Sequence, residues 1–352
     1  MKKVNQIENV SYLGRLKDKV IFSSNNTLYS FNKEHNYDEY IKQNDKIQYV
    51  ETYNKERILL NENCIYKDDT LEVQFDKENQ SINVYSNGLI LKEIDFEKEK
   101  IDFFRFNILT KEKEELNVNK TSIPIALYKD VLILKSLEKD DYFINFYGIL
   151  SEEYFEKFSL NKLLKNDNAK VYGKPIVLND RLFIYLFDST HKTNDKKTVC
   201  FDINKGELLW ESSVFTGWLT ISKDKIYSVK NKSVQILNPN TFELTNIDLQ
   251  EELSVLDYRI NDTVNSIVSN VFFSLSTSVY KVYNNYLYFS QEKGSTVGVI
   301  DLENKKLVWH SKIEIESGDI IPLVMKIEFN NNHLYVLDSS NTLQIYVNDK
   351  VL

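Results

Sequence analysis

The 352-residue chain is poor in the residues that usually punctuate a fold, with nine glycines, four prolines and two cysteines. Cys64 and Cys200 cannot build a disulfide framework, and each falls in its own apolar, strand-like segment, so both read as reduced core thiols. The glycines never fall at the spacing of a dinucleotide fingerprint or a P-loop, which excludes nucleotide binding by those routes. With so little glycine, turns have to be built from Asn and Asp, the other residues that best tolerate left-handed backbone. No run approaches the roughly 18 consecutive apolar residues of a membrane helix. Met1-Lys2-Lys3 is followed by Val4-Asn5-Gln6-Ile7-Glu8-Asn9, a basic start without the apolar middle of a signal peptide, so a cytoplasmic location is expected. Basic residues are the minority, 44 against 52 acidic, and the formal charge of −8 argues against an unaided grip on nucleic-acid phosphates or anionic lipid. A basic protein partner is easier to reconcile. The four histidines, His35, His191, His310 and His333, lie far apart with no zinc-binding pattern, and no metal site is predicted.

Hydrophobic residues at 42% and charged residues at 27% are those of an ordinary globular protein. Short runs rich in Ile, Val, Leu, Tyr and Phe recur from end to end, separated by polar clusters such as Asn25-Asn26, Asn87-Gly88 and Asn284-Asn285. That spacing reads all-β. Leu182-Phe183-Ile184-Tyr185-Leu186-Phe187 and Val131-Leu132-Ile133-Leu134 are apolar at consecutive positions, which requires burial on both faces of the sheet. Four-stranded sheets stacked face to face around an axis supply that environment. Second strands are expected to start near Asp18, Glu56, Asn87, Lys129, Asp180, Asp224, Asn285 and Asn332, which makes eight units, with seven as the alternative. The segment Leu150 to Lys165 admits a short helix in place of an outer strand.

Another strand of each unit is recognised by its ending. Six apolar strands finish on Asn32, Asn107, Asp202, Asn238, Asp301 and Asn348, where the side-chain oxygen can accept from the backbone two residues on and start a turn. Phe201-Asp-Ile-Asn-Lys-Gly-Glu-Leu-Leu-Trp-Glu-Ser212 and Ile300-Asp-Leu-Glu-Asn-Lys-Lys-Leu-Val-Trp-His-Ser311 align without gaps. Three of the four prolines, Pro124, Pro175 and Pro322, stand where a first strand would open. This pattern resembles the repeat of the PQQ-like (quinoprotein-like) and WD40-like β-propellers. The resemblance implies a single β-propeller domain over residues 1–352, with residues 250–278 as an inter-blade insertion. It carries a fold rather than a cofactor: with three Trp and no recognisable quinone or calcium residues, neither ligand is predicted. The chain ends too soon after Leu343 to Val347 for a full outer strand, so the N-terminal segment around Val4 to Val10 is expected to close the ring.

In such a blade the connections from second to third strand, and from fourth strand to the next blade, share one face of the disc. The long connections, Leu160 to Lys174, Asp188 to Lys197, Gln250 to Ser278 and more modestly Glu138 to Asp141 and Gln291 to Ser295, all fall there. Extra length on one face of a rigid scaffold is where recognition is placed. Trp218, Tyr258, Arg259 and His191 are the candidate partner-binding residues. The reading is a bacterial, cytoplasmic, non-catalytic propeller with a protein partner, of which an immunity or inhibitor protein against a basic toxin is the narrow form. The alternative from another class is a channel-centred hydrolase or lyase using Asp, Glu and His side chains.

Overall fold

Runs of β-branched and aromatic residues broken by Asn and Asp fold into antiparallel hairpins. The computed structural model describes residues 1–16, 19–25, 27–31, 37–42, 49–53, 56–61, 64–67, 70–74, 79–85, 88–95, 100–119, 121–262, 267–313, 322–330 and 332–348, some of them by backbone alone. They form eight four-stranded antiparallel sheets, spanning residues 10–42, 49–74, 79–115, 123–159, 169–212, 219–248, 275–312 and 324–347, and one two-stranded hairpin. In the first seven sheets the strands follow chain order. The eighth is completed from the other end of the chain: Lys2–Ile7 lies antiparallel to Leu343–Val347, with Lys2 opposite Val347 and Ile7 opposite Leu343. Val10, by contrast, already opens the 10–42 sheet. The second strands begin at Lys19, Glu56, Gly88, Val131, Arg181, Lys225, Tyr286 and His333, within two residues of the positions read from the sequence. Among the described residues no helix is long and apolar enough to cross a membrane.

The chain divides into two compact units, one of Met1–Gly14 with Val214–Leu352 and one of Arg15–Ser213. Within the Arg15–Ser213 unit, consecutive sheets bury their faces against each other. Leu132, Leu134 and Tyr147 of the 123–159 sheet pack with Ile90 and Phe103 of the 79–115 sheet. Ile133, Ile144 and Phe146, on the opposite face, pack with Leu182, Ile184 and Phe201 of the 169–212 sheet. Hence consecutive positions in one strand are all buried, as the unbroken apolar runs require. The Val214–Leu352 unit repeats the device, with Tyr227 and Val229 against Tyr280 and Leu287, and Tyr288 and Val299 against Ile327 and Leu334. Fourth strands such as Lys306–Lys312 instead alternate in exposure. Cys64 and Cys200 are both free, and Cys200 is fully buried while Cys64 is partly exposed.

Turn chemistry follows the scarcity of glycine. Asn179-Asp180 and Asn284-Asn285 hold φ of 53° and 60°, and 47° and 64°, the left-handed pair of a two-residue hairpin turn. Four third-to-fourth connections, in the 79–115, 169–212, 219–248 and 275–312 sheets, are five-residue loops closed by an Asx-turn. Asp202 Oδ1 accepts from the amides of Asn204 and Lys205 at 2.9 and 3.1 Å, and Asp301 Oδ1 from Glu303 and Asn304 at 2.9 and 3.0 Å. Asn107 and Asn238 do the same for Leu109 and Thr110, and for Asn240 and Thr241. The fifth residue of each loop is left-handed: Lys111, Gly206, Phe242 and Lys305, with φ of 62°, 71°, 59° and 54°. Only one of the four is glycine, so the Asx acceptor and the flanking strands impose the conformation on the other three. Of the remaining two strand ends, Asn348 donates its amide to the Asn332 carbonyl at 2.8 Å and Asn32 lies outside the described residues.

Three boundaries differ from the sequence reading. The segment 150–165 holds both an outer strand, Glu153–Ser159, and a helix, α1 (Leu160–Leu164), because Ser159 ends the strand and caps the helix by accepting from the Lys162 amide. The connection expected to run to Lys174 shrinks to 165–168, since the next strand is already formed at Ala169. The insertion of 250–278 ends at Leu275, the start of the next first strand, and it is structured: α2 (Gln250–Ser254) is followed by a hairpin of Tyr258–Asp262 and Ile267–Val271.

Candidate functional site

Backbone bonds define which connections share an end of each sheet. The residue after a second strand donates its amide to the carbonyl just before the first strand: Ser189 to Asn168 at 3.0 Å, Glu292 to Ser274 at 2.8 Å, and Ser339 to Leu323 at 2.8 Å. Second-to-third and fourth-to-first connections therefore meet at one end of a sheet. The extra residues of the chain collect there.

In the Arg15–Ser213 unit this end is knitted by polar side chains. Asp188 closes its strand almost fully buried, and its carboxylate accepts from the amide and hydroxyl of Thr190 at 2.9 and 2.7 Å and of Thr193 at 2.8 and 2.9 Å. Those donors, the Thr193 amide and the Thr190 hydroxyl foremost, hold the carboxyl far below the usual carboxylate range. Asn166 bridges to the same loop, donating to Thr193 Oγ1 at 3.0 Å and Asp195 Oδ2 at 2.9 Å. The Thr193 hydroxyl and the Asn166 amide lower the Asp195 pKa in turn. Beneath them α1 buries Leu160, Leu163 and Leu164 and receives the buried Lys197 ammonium on the Leu163 carbonyl at 2.7 Å. His191 rides on this loop, exposed, left-handed at φ 56°, its ring 5.8 Å from that of Phe187.

The Val214–Leu352 unit uses the same motif at Asp338, whose carboxylate accepts from the amides of Ser340 and Thr342 at 2.9 and 3.1 Å, with Asn341 left-handed at φ 60°. Asp188-Ser189-Thr190 and Asp338-Ser339-Ser340 are thus equivalent. Trp218 precedes the first strand Leu219–Ser222, half-buried, with its carbonyl accepting from the buried Tyr280 hydroxyl at 2.6 Å. Tyr258 and Arg259 do not sit in an open loop: they begin the inserted hairpin, opposite Val271 and Asn270, and only their backbone is described. The hairpin is tied at its base. Asp257 receives the Lys232 ammonium on both oxygens at 2.8 and 3.0 Å and the Phe273 amide at 2.6 Å, so the residues entering and leaving the hairpin share one carboxylate. Burial would raise that carboxyl, and Lys232 with the Phe273 amide outweighs it, leaving the pKa lowered.

Trp218, Tyr258 and Arg259 therefore belong to one unit and His191 to the other. The Asp188 and Asp338 networks were missed in the sequence, although an Asp followed by Ser and Thr after an apolar strand is a visible signal for them. No protein-family model matches the chain, and no curated protein matches it in sequence. Solved structures do match in shape. BamB from Moraxella catarrhalis, a PQQ-like propeller, is 12% identical with a TM-score of 0.55, covering 98% of this chain and 99% of its own. Saccharomyces cerevisiae Sqt1 is 9% identical with a TM-score of 0.58, covering 99% and 100%, and the Dos1 propeller is 9% identical with a TM-score of 0.54, covering 98% and 95%. At such identities the likeness is one of fold alone, and the fold is that of the PQQ-like and WD40-like β-propellers.

Proposed function

We propose that the chain is a non-catalytic scaffold that holds a protein partner through the end of its sheets carrying the long connections. The observation that carries this reading is the contrast between the two ends. One end carries minimal five-residue Asx loops in four of the sheets, whereas the other bears α1, α2, the inserted hairpin and the cross-linked 189–195 loop. Loops already fixed by internal hydrogen bonds lose little freedom when a partner docks, which favours them as recognition elements. In this proposal the eight sheets form one domain, closed into a ring where Lys2–Ile7 takes the outer place beside Leu343–Val347. The pairing of these two strands supports it. The formal charge of −8 favours a basic partner. An inhibitor that caps a basic toxin in a bacterial cytoplasm is its narrow form.

The test is a binding titration with the product of a neighbouring gene, followed by its footprint in hydrogen exchange. Tyr258→Ala, Arg259→Ala, His191→Ala and Trp218→Ala are each expected to weaken binding by about 1 kcal/mol or more, roughly fivefold, since such interfaces concentrate energy in a few anchors. A footprint confined to the turns at Asn204 to Gly206 and Asn238 to Asn240 would place binding at the wrong end and end the proposal.

A further inference from the structure

We infer that the foot of the inserted hairpin is a docking surface for a basic segment of a partner protein, whose arginine or lysine side chains lie across Phe272 and Val255 with their heads toward Asp248 and Glu251. The inference rests on the reading that the long-connection end receives a protein, and it names the place and the charge of what is received. The insertion is anchored on one turn, Lys230 to Ser233. Leu249 and Leu275 donate their amides to the carbonyls of Lys232 and Asn231 at 2.9 and 2.7 Å, and the Lys232 ammonium holds Asp257. On each arm one apolar residue goes in and a nearby one stays out. Leu253 and Phe273 are buried, the Phe273 ring edge-on to that of Phe289 at 5.7 Å, whereas Val255 and Phe272 are 70% and 72% exposed.

This exposure is not scattered. Among the described residues of the Val214–Leu352 unit, the three most exposed large apolar side chains are Phe272, Val255 and Val214. All three are tied to the same turn. Val214 accepts the Lys230 ammonium on its carbonyl at 2.8 Å, and the other two connect through Asp257. Val255 precedes Asp257 by two residues, and Phe272 adjoins Phe273, whose amide Asp257 receives. A solitary exposed apolar side chain is ordinary, whereas several gathered at one place on the surface mark a contact site.

Charge selects the occupant. From Ser233 to Tyr280 the chain carries six carboxylates and one basic residue, Arg259, where its average frequency of Lys and Arg would place about six. The two lysines of the turn are spent on internal acceptors, Lys230 on the Val214 carbonyl and Lys232, 7% exposed, on Asp257. Lys293, in the neighbouring turn, stands beside Glu292. Asp248 and Glu251 are exposed and pair with no cation among the described residues. An acidic segment is repelled here, and an uncharged one leaves both carboxylates unanswered. A basic segment meets both demands, since Lys and Arg lay their aliphatic stems on apolar surface while a guanidinium or ammonium gains from the face of an aromatic ring such as that of Phe272. Residues 160–197 of the other unit hold eight basic residues against four acidic, so the formal charge of −8 is unevenly spread. The basic contact therefore belongs to the insertion rather than to the 189–195 loop.

The experiment is a fluorescence-anisotropy titration of the full chain with a labelled short peptide of arginine and alanine and with its glutamate counterpart, alongside sedimentation of the protein alone and flotation with phosphatidylcholine vesicles. The arginine peptide is expected to bind saturably with a dissociation constant on the order of 100 µM or tighter, and the glutamate peptide not at all. Phe272→Ser should weaken it about fivefold to tenfold. Asp248→Asn combined with Glu251→Gln should weaken it about fivefold, a difference that vanishes in about 0.5 M salt. Phe272 is exposed, and Asp248→Asn keeps the oxygen that accepts the Gln250 amide at 2.9 Å, so melting temperatures should stay at the wild-type value. Leu109→Ser, which removes a side chain 79% exposed in the other unit, should leave binding unchanged. No saturable binding up to about 1 mM, binding indifferent to Phe272→Ser, equal binding of the glutamate peptide, or self-association or vesicle binding lost in Phe272→Ser would each overturn the inference. If the neighbouring gene product binds wild type and Phe272→Ser alike, the partner reading stands and this inference falls; if the peptide binds as expected and the gene product does not, the inference stands and that partner falls.

Discussion

Replacing Asp257 by alanine tests whether the inserted hairpin is held by its base. The substitution strands the Lys232 ammonium, whose side chain is 7% exposed, and removes the acceptor of the Phe273 amide. Breaking a buried ion pair from one side costs about 3–5 kcal/mol. The Asp257 side chain is 25% exposed, which brings the ionic loss to about 2–3 kcal/mol, and the orphaned amide adds about 1 kcal/mol. A total of about 3–4 kcal/mol corresponds to a drop of about 4–5 °C in melting temperature for a chain of this length. Calorimetry at neutral pH gives that figure, and hydrogen exchange should locate the loss at residues 258–273 before the neighbouring sheets. Lys232→Met in the Asp257→Ala background removes the stranded charge and should return about half of the stability. The pKa of Asp257 is lowered on folding, so the pair stabilises above the unfolded carboxyl value and its contribution is lost as pH falls through the folded one. The gap between wild type and Asp257→Ala should therefore close progressively below about pH 4. A single mutant within about 1 kcal/mol of wild type at neutral pH, with exchange at 258–273 unchanged, would show that the insertion is held by something else.

Two further outcomes follow from the strand pairings and the buried thiol. Deleting residues 1–7 bares the outer edge of Leu343–Val347, which stays paired with His333–Asp338 on its inner edge, and should cost about 3 kcal/mol or more, a fall of about 4 °C in calorimetry, with increased aggregation from the bared edge; an unchanged melting temperature refutes it. Burial pushes the Cys200 thiol up to about 12, so a thiol reagent at pH 8 should leave Cys200 unmodified until the protein unfolds, and native labelling of Cys200 by mass spectrometry would contradict the packing of that strand.

The sheets were legible because hairpins announce themselves locally. An Asn or Asp pair between two apolar runs, as at Asn179-Asp180 and Asn284-Asn285, states both the turn and the strand start, and all eight second strands begin within two residues of the positions read from the sequence. Asx strand ends were legible for the same reason, since donor and acceptor lie within three residues of each other. The interior of the insertion was not legible: α2 spans five residues and its flanking strands five each, too short for periodicity to speak. The helix after Ser159 was legible only as an alternative to the outer strand, because the coexistence of the two depends on a cap in which Asp141 of another strand receives the Ser159 hydroxyl.

The two feet of the insertion have an implication for how this protein can change. Leu249 donates its amide to the Lys232 carbonyl at 2.9 Å and Leu275 donates to the Asn231 carbonyl at 2.7 Å, so the chain departs and returns at adjacent residues of a single turn. Leu253 of α2 and Phe273 are buried in the core with Val229, Leu275 and Leu287 and belong to the host, whereas the hairpin they bracket can be exchanged without altering the register of either flanking sheet, since lengthening a closed loop adds little entropy cost. Residues 258–271 are in effect a socketed cassette: a donor hairpin with the same short span between its ends could be transplanted there, or this one carried to another stacked-sheet protein, with the host fold left intact.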